Sequence, residues 1–213
     1  MGQGLDTAYE IGPKTAAKLK SMGFTFAGRY IVASESATQL DKDEALAISG
    51  AGLYVVSICQ RKNNKASYFT STQGTKDAED AIANAKLIGQ PNNTPIYFVV
   101  DFDASLSEIE NYITPYMQAV LAVLNGSKNT KNYKFGVYGS KRVCNYYKNS
   151  ERYTFLVDNS WGSGASKHTD WNLRQYEWNI DIADELEFES IPVFLIDKVE
   201  SSTVGGGGWQ ITA

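Results

Sequence analysis

The 213 residues are 43% hydrophobic, enough for a full core, and nothing in the length demands a second domain. A net charge of -4 with no lysine or arginine cluster argues against nucleic acid or an anionic membrane as partner and leaves a neutral or polar substrate as the expectation. No run of about 18 apolar residues appears, and the N-terminus lacks a basic region followed by an apolar stretch, so neither membrane insertion nor a visible export signal is expected.

In chain order, residues 2–6 read as a strand and "GPKTAAKLKSMG" (12–23) as a helix with an early proline and a terminal glycine. "FTFAGRYIV" (24–32) follows as a strand and "LDKDEALAISGAG" (40–52) as a helix ending on glycine. The alternation continues through strand 53–59, helix 75–89, strand 95–103, helix 107–125, strand 134–139 and a short helix 141–148. Strands 153–159, 172–177 and 191–197 complete a set of about eight. Such alternation implies α/β architecture with a parallel sheet, and the count favours a (β/α)8 TIM-type barrel over an open doubly wound sheet. The typical barrel takes about 250 residues, so helices are expected to be shortened or missing in the C-terminal third. Residues 1–200 are thus expected to form one barrel, and 201–213 ("SSTVGGGGWQITA") a glycine-rich tail or linker. A monomer is expected. Cys59 and Cys144 fall in segments of different type, so a disulfide between them is not expected.

"YFVVDFDA" (97–104) carries the chemistry. Side chains alternate along a strand, so Tyr97, Val99, Asp101 and Asp103 share one face while Ile96, Phe98, Val100 and Phe102 share the other. The carboxyl ends of barrel strands converge on one mouth. That mouth should gather Asp6, Asp101, Asp103 and Asp197 with Tyr138, Asn159, Trp161, Gln175 and Tyr176. Taken singly, each acid has a structural reading as a cap or a loop-amide acceptor, with Arg29 as an ion-pair partner for Asp101 and Asp103. Acids at the same end of four strands are harder to explain that way. Clustered carboxylates raise one another's pKa, keeping one protonated as a general acid while another stays charged, which is what glycoside hydrolysis requires. Rim aromatics offer flat surfaces for sugar rings. His168 is the lone histidine, so a histidine-based metal site lacks ligands, and no nucleophile elbow or phosphate-binding glycine motif is present. No cofactor and no metal are expected.

"GLDTAYEI", "FAGRYIV", "IYFVVDFDA", "FGVYGSKRVC" and "LRQYEWN", in this order, resemble the glycoside-hydrolase-like domain family, a distant relative of the family 25 lysozyme-type muramidases. The resemblance implies a bacterial or phage-borne (β/α)8 barrel acting on, or descended from enzymes acting on, peptidoglycan-like cell-wall polysaccharide, outside the cell or in the wall. Asp6 matches the muramidases' strand-one aspartate, and Asp101 and Asp103 match their Asp-x-Glu. The acid at 103 is one methylene shorter than that glutamate, a retraction of roughly 1 to 1.5 Å, and misplacement on that scale costs about a hundredfold in rate. Gln175 and Tyr176 match a Gln-Tyr pair, and Asp197 a strand-eight aspartate. The resemblance makes Asp103 the general acid and Asp101 or Asp6 the stabilising or water-orienting group. Arg29, Tyr138, Trp161, Gln175, Tyr176 and Asp197 form the expected substrate-binding set. A non-catalytic glycan-binding barrel is the alternative.

Overall fold

The computed structural model describes residues 1–35, 37–148, 152–186 and 192–212. Strands β1 (Gly2–Asp6), β2 (Phe26–Val32), β3 (Tyr54–Cys59), β4 (Pro95–Val99), β5 (Lys134–Ser140), β6 (Tyr153–Val157), β7 (Leu173–Asp181) and β8 (Leu195–Ser201) close into a barrel in sequence order. From β1 to β7 every neighbouring pair is parallel. β8 runs antiparallel to both β7 and β1, which corrects the expectation of an all-parallel barrel. A parallel return needs a crossover of a dozen or more residues, usually helical. Between β7 and β8 the described residues hold only a 3-10 turn, Asp184–Leu186, so the chain simply reverses. The expected start of the last strand at residue 191 lies outside the described residues.

The helices fill the early connections: α1 (Pro13–Ser21), α2 (Lys42–Gly50), α3 (Ser71–Leu87), α4 (Leu106–Glu108), α5 (Thr114–Leu124) and α6 (Lys141–Tyr147). Asp41 and Thr70 cap α2 and α3 by accepting from the backbone N–H of Glu44 and Gln73, and Ser105 with Glu108 forms a capping box on α4. α4 passes into α5 through a π turn, Ile109–Ile113. Pro115 lies just beyond that turn and has no N–H to donate, which suits it to the first turn of a fresh helical segment. Among the described residues no α-helix follows β6 or β7, as the short C-terminal third suggests.

Two apolar layers follow from the period of two. Tyr97 and Val99 join Phe26, Ile58, Tyr138 and Phe155 inside the barrel, whereas Ile96, Phe98 and Val100 pack outward beneath the helices. Gly4 is required where the barrel narrows, because a Cβ there would lie 2.3 Å from the Phe26 ring.

The segment read as a tail or linker is instead part of the fold. β3 begins pairing with β4 only at Ser57, which leaves Val55 open on that side. Trp209 closes the gap: Val55 N–H donates to Trp209 O at 2.7 Å and Trp209 N–H to Val55 O at 2.8 Å. Its indole, 2% exposed, donates Nε1–H to Ser57 Oγ at 2.8 Å. An open backbone edge needs partners, and the glycine run lets the chain reach it. Cys59 and Cys144 are both buried free thiols.

Candidate active site

The mouth of the barrel is built by strand ends. Asp6 closes β1 and faces Asp197 directly across the β1–β8 ladder. Asp197 reaches the mouth because β8 runs backwards, so its amino-terminal end meets the carboxyl ends of the others. Tyr138 on β5 donates its hydroxyl to Gln175 Oε1 at 2.8 Å, and Gln175 Nε2–H donates to Asp197 Oδ2 at 2.6 Å. Asp197 Oδ1 accepts from Asn179 N–H at 2.8 Å. Two register shifts in β7 and a left-handed Asn179 (φ +55°) aim that N–H, the re-aiming role bulges play beside functional sites.

Asp6 is 4% exposed, its carboxyl accepts from the Tyr30 hydroxyl, and its Oδ1 has no partner. Burial first, then the negative charge of Asp197, push its pKa from the ordinary 3.8 to about 8, against the Tyr30 hydrogen bond and the Arg29 charge. Asp101 sits two residues beyond the end of β4. Burial raises it to about 6, opposed by the hydrogen bond from Gln60 Nε2 at 3.0 Å. Asp197 is also raised by burial and held back by Asn179 N–H. At neutral pH the cluster therefore holds a proton on Asp6 beside an ionised Asp101, an acid and a base in one mouth. A cavity of about 590 Å³ opens in front of Asp6, lined also by Tyr9, Glu10, Tyr30, Thr38 and Asp197. A larger one, about 760 Å³, is lined by Lys134, Phe135 and Tyr153 at the other end of the strands and touches none of these acids.

The structure gives Asp103 partners other than those expected. β4 ends at Val99, so alternation no longer governs residues 101 and 103. Val100 N–H donates to Tyr138 O and Asp101 N–H to Asn63 O, and the chain turns. Asp103 Oδ1 accepts from Arg142 at 3.1 Å and from Gly162 N–H at 2.7 Å, clamping the loop that carries Trp161. Trp161 itself packs against the interior aromatic layer.

Arg29 does not reach a substrate. It is 0% exposed, and its guanidinium binds Glu44 Oε1 at 2.6 Å, Thr7 O at 2.7 Å and Thr38 O at 3.1 Å. Neighbouring Tyr30 takes the inward face, so alternation sends Arg29 outward under α2, and it pairs with neither Asp101 nor Asp103. Tyr176 is likewise turned away, 5.7 Å from the Arg174 guanidinium, which pairs with Glu200 and Asp158. Tyr30, Gln60 and Asn179 escaped the sequence reading. Tyr30 was available from its period-two relation to Phe26. Gln60 and Asn179 act through loop and bulge geometry that no local pattern encodes.

Gln60→Leu removes the hydrogen bond that favours ionised Asp101. The Asp101 pKa is expected to climb above about 6 in a carbon-detected NMR titration; an unchanged midpoint would show that Gln60 does not tune it.

The chain and its fold have known relatives. The family model described as "Rv2525c-like, glycoside hydrolase-like domain" matches residues 17–212. FadG of Bacillus subtilis (strain 168), an uncharacterized protein, is 32% identical over 216 residues, covering 99% of this chain. This chain spans 34% of FadG's length. Rv2525c of Mycobacterium tuberculosis, a proposed peptidoglycan hydrolase, is 27% identical over 178 residues, covering 79% of this chain and 72% of Rv2525c. A crystal structure of that Tat-secreted protein has a TM-score of 0.75 at 22% identity, covering 98% of both chains. A family 25 glycosyl hydrolase from Bacillus anthracis has a TM-score of 0.55 at 13% identity, covering 95% of this chain and 89% of that one, a likeness of fold.

Proposed function

The chain belongs to the Rv2525c-like, glycoside hydrolase-like domain family, and from that premise we propose that it hydrolyses bacterial cell-wall polysaccharide, with Asp6 as general acid and Asp101 as the ionised partner. The observation that carries the reading is the buried Asp6 carboxyl, unpartnered at Oδ1 and crowded by Asp197 at the barrel mouth. A carboxyl that stays protonated at neutral pH can deliver its proton to a glycosidic oxygen, while Asp101 supports the oxocarbenium-like centre or orients water. Gln175 and Asn179 hold Asp197 in place, and the Tyr138 hydroxyl holds Gln175. The acid role that family resemblance assigns to Asp103 passes to Asp6, because Asp103 is engaged with Arg142 and Gly162; Asp103 becomes a positioning residue for the Trp161 loop. The wall substrate is supported by the proposed activity of Rv2525c, and a location outside the cell or in the wall by its Tat secretion. Among the described residues no helix is long and apolar enough to cross a membrane.

Reducing-sugar release from purified cell walls tests the reading. Activity needs Asp101 ionised and Asp6 protonated, so it should rise through about pH 6 and fall through about pH 8. Asp101→Asn should lower it by about 10² or more, and Asp103→Asn by about tenfold or less. A loss confined to Asp103→Asn would return the acid role to that residue. The short acid at 103, tied to Arg142, favours a second reading, a barrel that binds glycan without cleaving it. No release from the parent protein, with wall binding intact, would select that reading.

A further inference from the structure

Asn63, in the loop that follows β3, is 1% exposed, and both polar atoms of its side chain bind backbone. β3 and β4 stop pairing at Cys59 and Phe98. One residue further along β4, Val99 O accepts from Asn63 Nδ2–H at 3.0 Å. Asn63 Oδ1 accepts from Arg61 N–H at 2.6 Å, and the backbone O of Asn63 accepts from Asp101 N–H at 2.9 Å. A side-chain amide offers the same donor and acceptor as a peptide unit, so Asn63 carries the pairing on past the point where the ladder ends. Its three bonds join two segments that meet in the site. One carries Gln60, whose N–H donates to Val32 O at 2.9 Å and whose Nε2–H reaches Asp101 Oδ2 at 3.0 Å. The other carries Asp101 itself. The cation between them points elsewhere: Arg61 binds Asp77 Oδ1 at 3.2 Å and Asp80 Oδ2 at 2.6 Å, both on α3.

We infer that Asn63 is a positioning residue for Asp101: its buried amide ties the loop after β3 to the end of β4, and so fixes at once the backbone of Asp101 and the Gln60 amide from which Asp101 accepts. The inference rests on the reading of Asp101 as the ionised partner of Asp6. The ionisable groups that face Asp101 are Asp6 on β1, Tyr30 on β2 and Asp197 on β8. The negative charge of Asp197 opposes its ionisation, and the Gln60 hydrogen bond favours it. Without the Asn63 side chain the loop and the strand end part, the Gln60 bond is lost with them, and Asp101 holds its proton to higher pH.

Carbon-detected NMR titration of Asp101 in the parent, in Asn63→Ala, in Gln60→Leu and in the double variant tests this. The parent midpoint of about 6 is expected to rise in Asn63→Ala by as much as in Gln60→Leu, and to rise no further in the double variant, because both changes break the same bond. Sugar release from cell walls should follow: its acidic limb moves up with the midpoint, and the rate at saturating wall falls about tenfold while the half-saturating wall concentration stays within about twofold. A purely structural Asn63 would lower stability toward urea and leave the Asp101 titration where it was, which would overturn the inference; shifts that add in the double variant would overturn it too. Should Asn63→Ala fail to fold, Asn63→Ser, whose side chain is too short to span both bonds, is read in the same way. Midpoints that shift as expected in a chain whose parent releases no sugar would remove the hydrolase reading and leave the positioning of Asp101 standing.

Discussion

Asp6→Asn is expected to give a protein that is inactive toward cell walls yet more stable than its parent. The two effects share one cause. In the unfolded chain Asp6 ionises at its ordinary 3.8, whereas in the fold it does so at about 8, because burial and Asp197 penalise the charge. Folding therefore takes up a proton across this window. Stability is fully present below about pH 4, declines as pH rises, and levels off once pH passes about 8, by which point the loss is on the order of 5 kcal/mol. An amide of the same shape accepts the Tyr30 hydrogen bond and never ionises, so it escapes the loss. Urea denaturation of parent and variant at about pH 4, 6 and 8 should show curves that coincide at the acid end and diverge upward with pH in favour of Asn. Sugar release should drop by about 10² to 10⁴, the range ascribed to a positioned proton donor. A variant destabilised equally at every pH would mean that Asp6 is not the strained group, and retained hydrolysis would mean that it is not the acid. Strain of this kind, stored at a site and offset elsewhere, is expected where function demands an unfavourable charge.

Trp209→Ala carries the second large effect, in a segment that composition alone marks as dispensable. The indole is 2% exposed and packs with the outer apolar layer, so its removal leaves a cavity worth about 3–5 kcal/mol. The backbone contacts to Val55, the Gln210 Nε2–H bond to Leu53 O at 3.1 Å and the Ile211 N–H bond to Ser49 Oγ at 3.1 Å should loosen with it. Trp209→Phe is the milder change: it keeps one aromatic ring and loses the Nε1–H bond to Ser57 together with the volume of the fused ring, for about 2–3 kcal/mol. Thermal unfolding of the three proteins should rank parent above Phe above Ala. An alanine variant within about 1 kcal/mol of the parent would return residues 204–212 to the status of a tail.

The two errors along the chain, the reversed β8 and the docked C-terminus, have a common origin. A strand's alternation is the same read in either direction, so "PVFLID" carries its face but not its polarity. A glycine run signals permissive backbone and says nothing of an unpaired edge waiting about 150 residues away, on β3. The partners of Asp103 escape local pattern for a different reason. Alternation places it beside Asp101 only while the strand lasts, and β4 stops at Val99. By contrast, Asp6, Asp101, Tyr138, Gln175 and Asp197 were legible as members of the mouth, because a barrel sends its strand ends to one place.

By itself the amino-acid sequence determined the alternation of strands and helices, the helix ends, the inner and outer faces of the barrel and the presence of acids at its rim. Each depends on periods of 2 or 3.6 residues and on caps that act within a turn. Only the tertiary structure decided the direction of β8, the docking of Trp209, the turn that hands Asp103 to Arg142, and the proton on Asp6. Those depend on which groups meet across the closed barrel, above all Asp6 with Asp197, and the burial and charge they impose on one another exist only once it has closed.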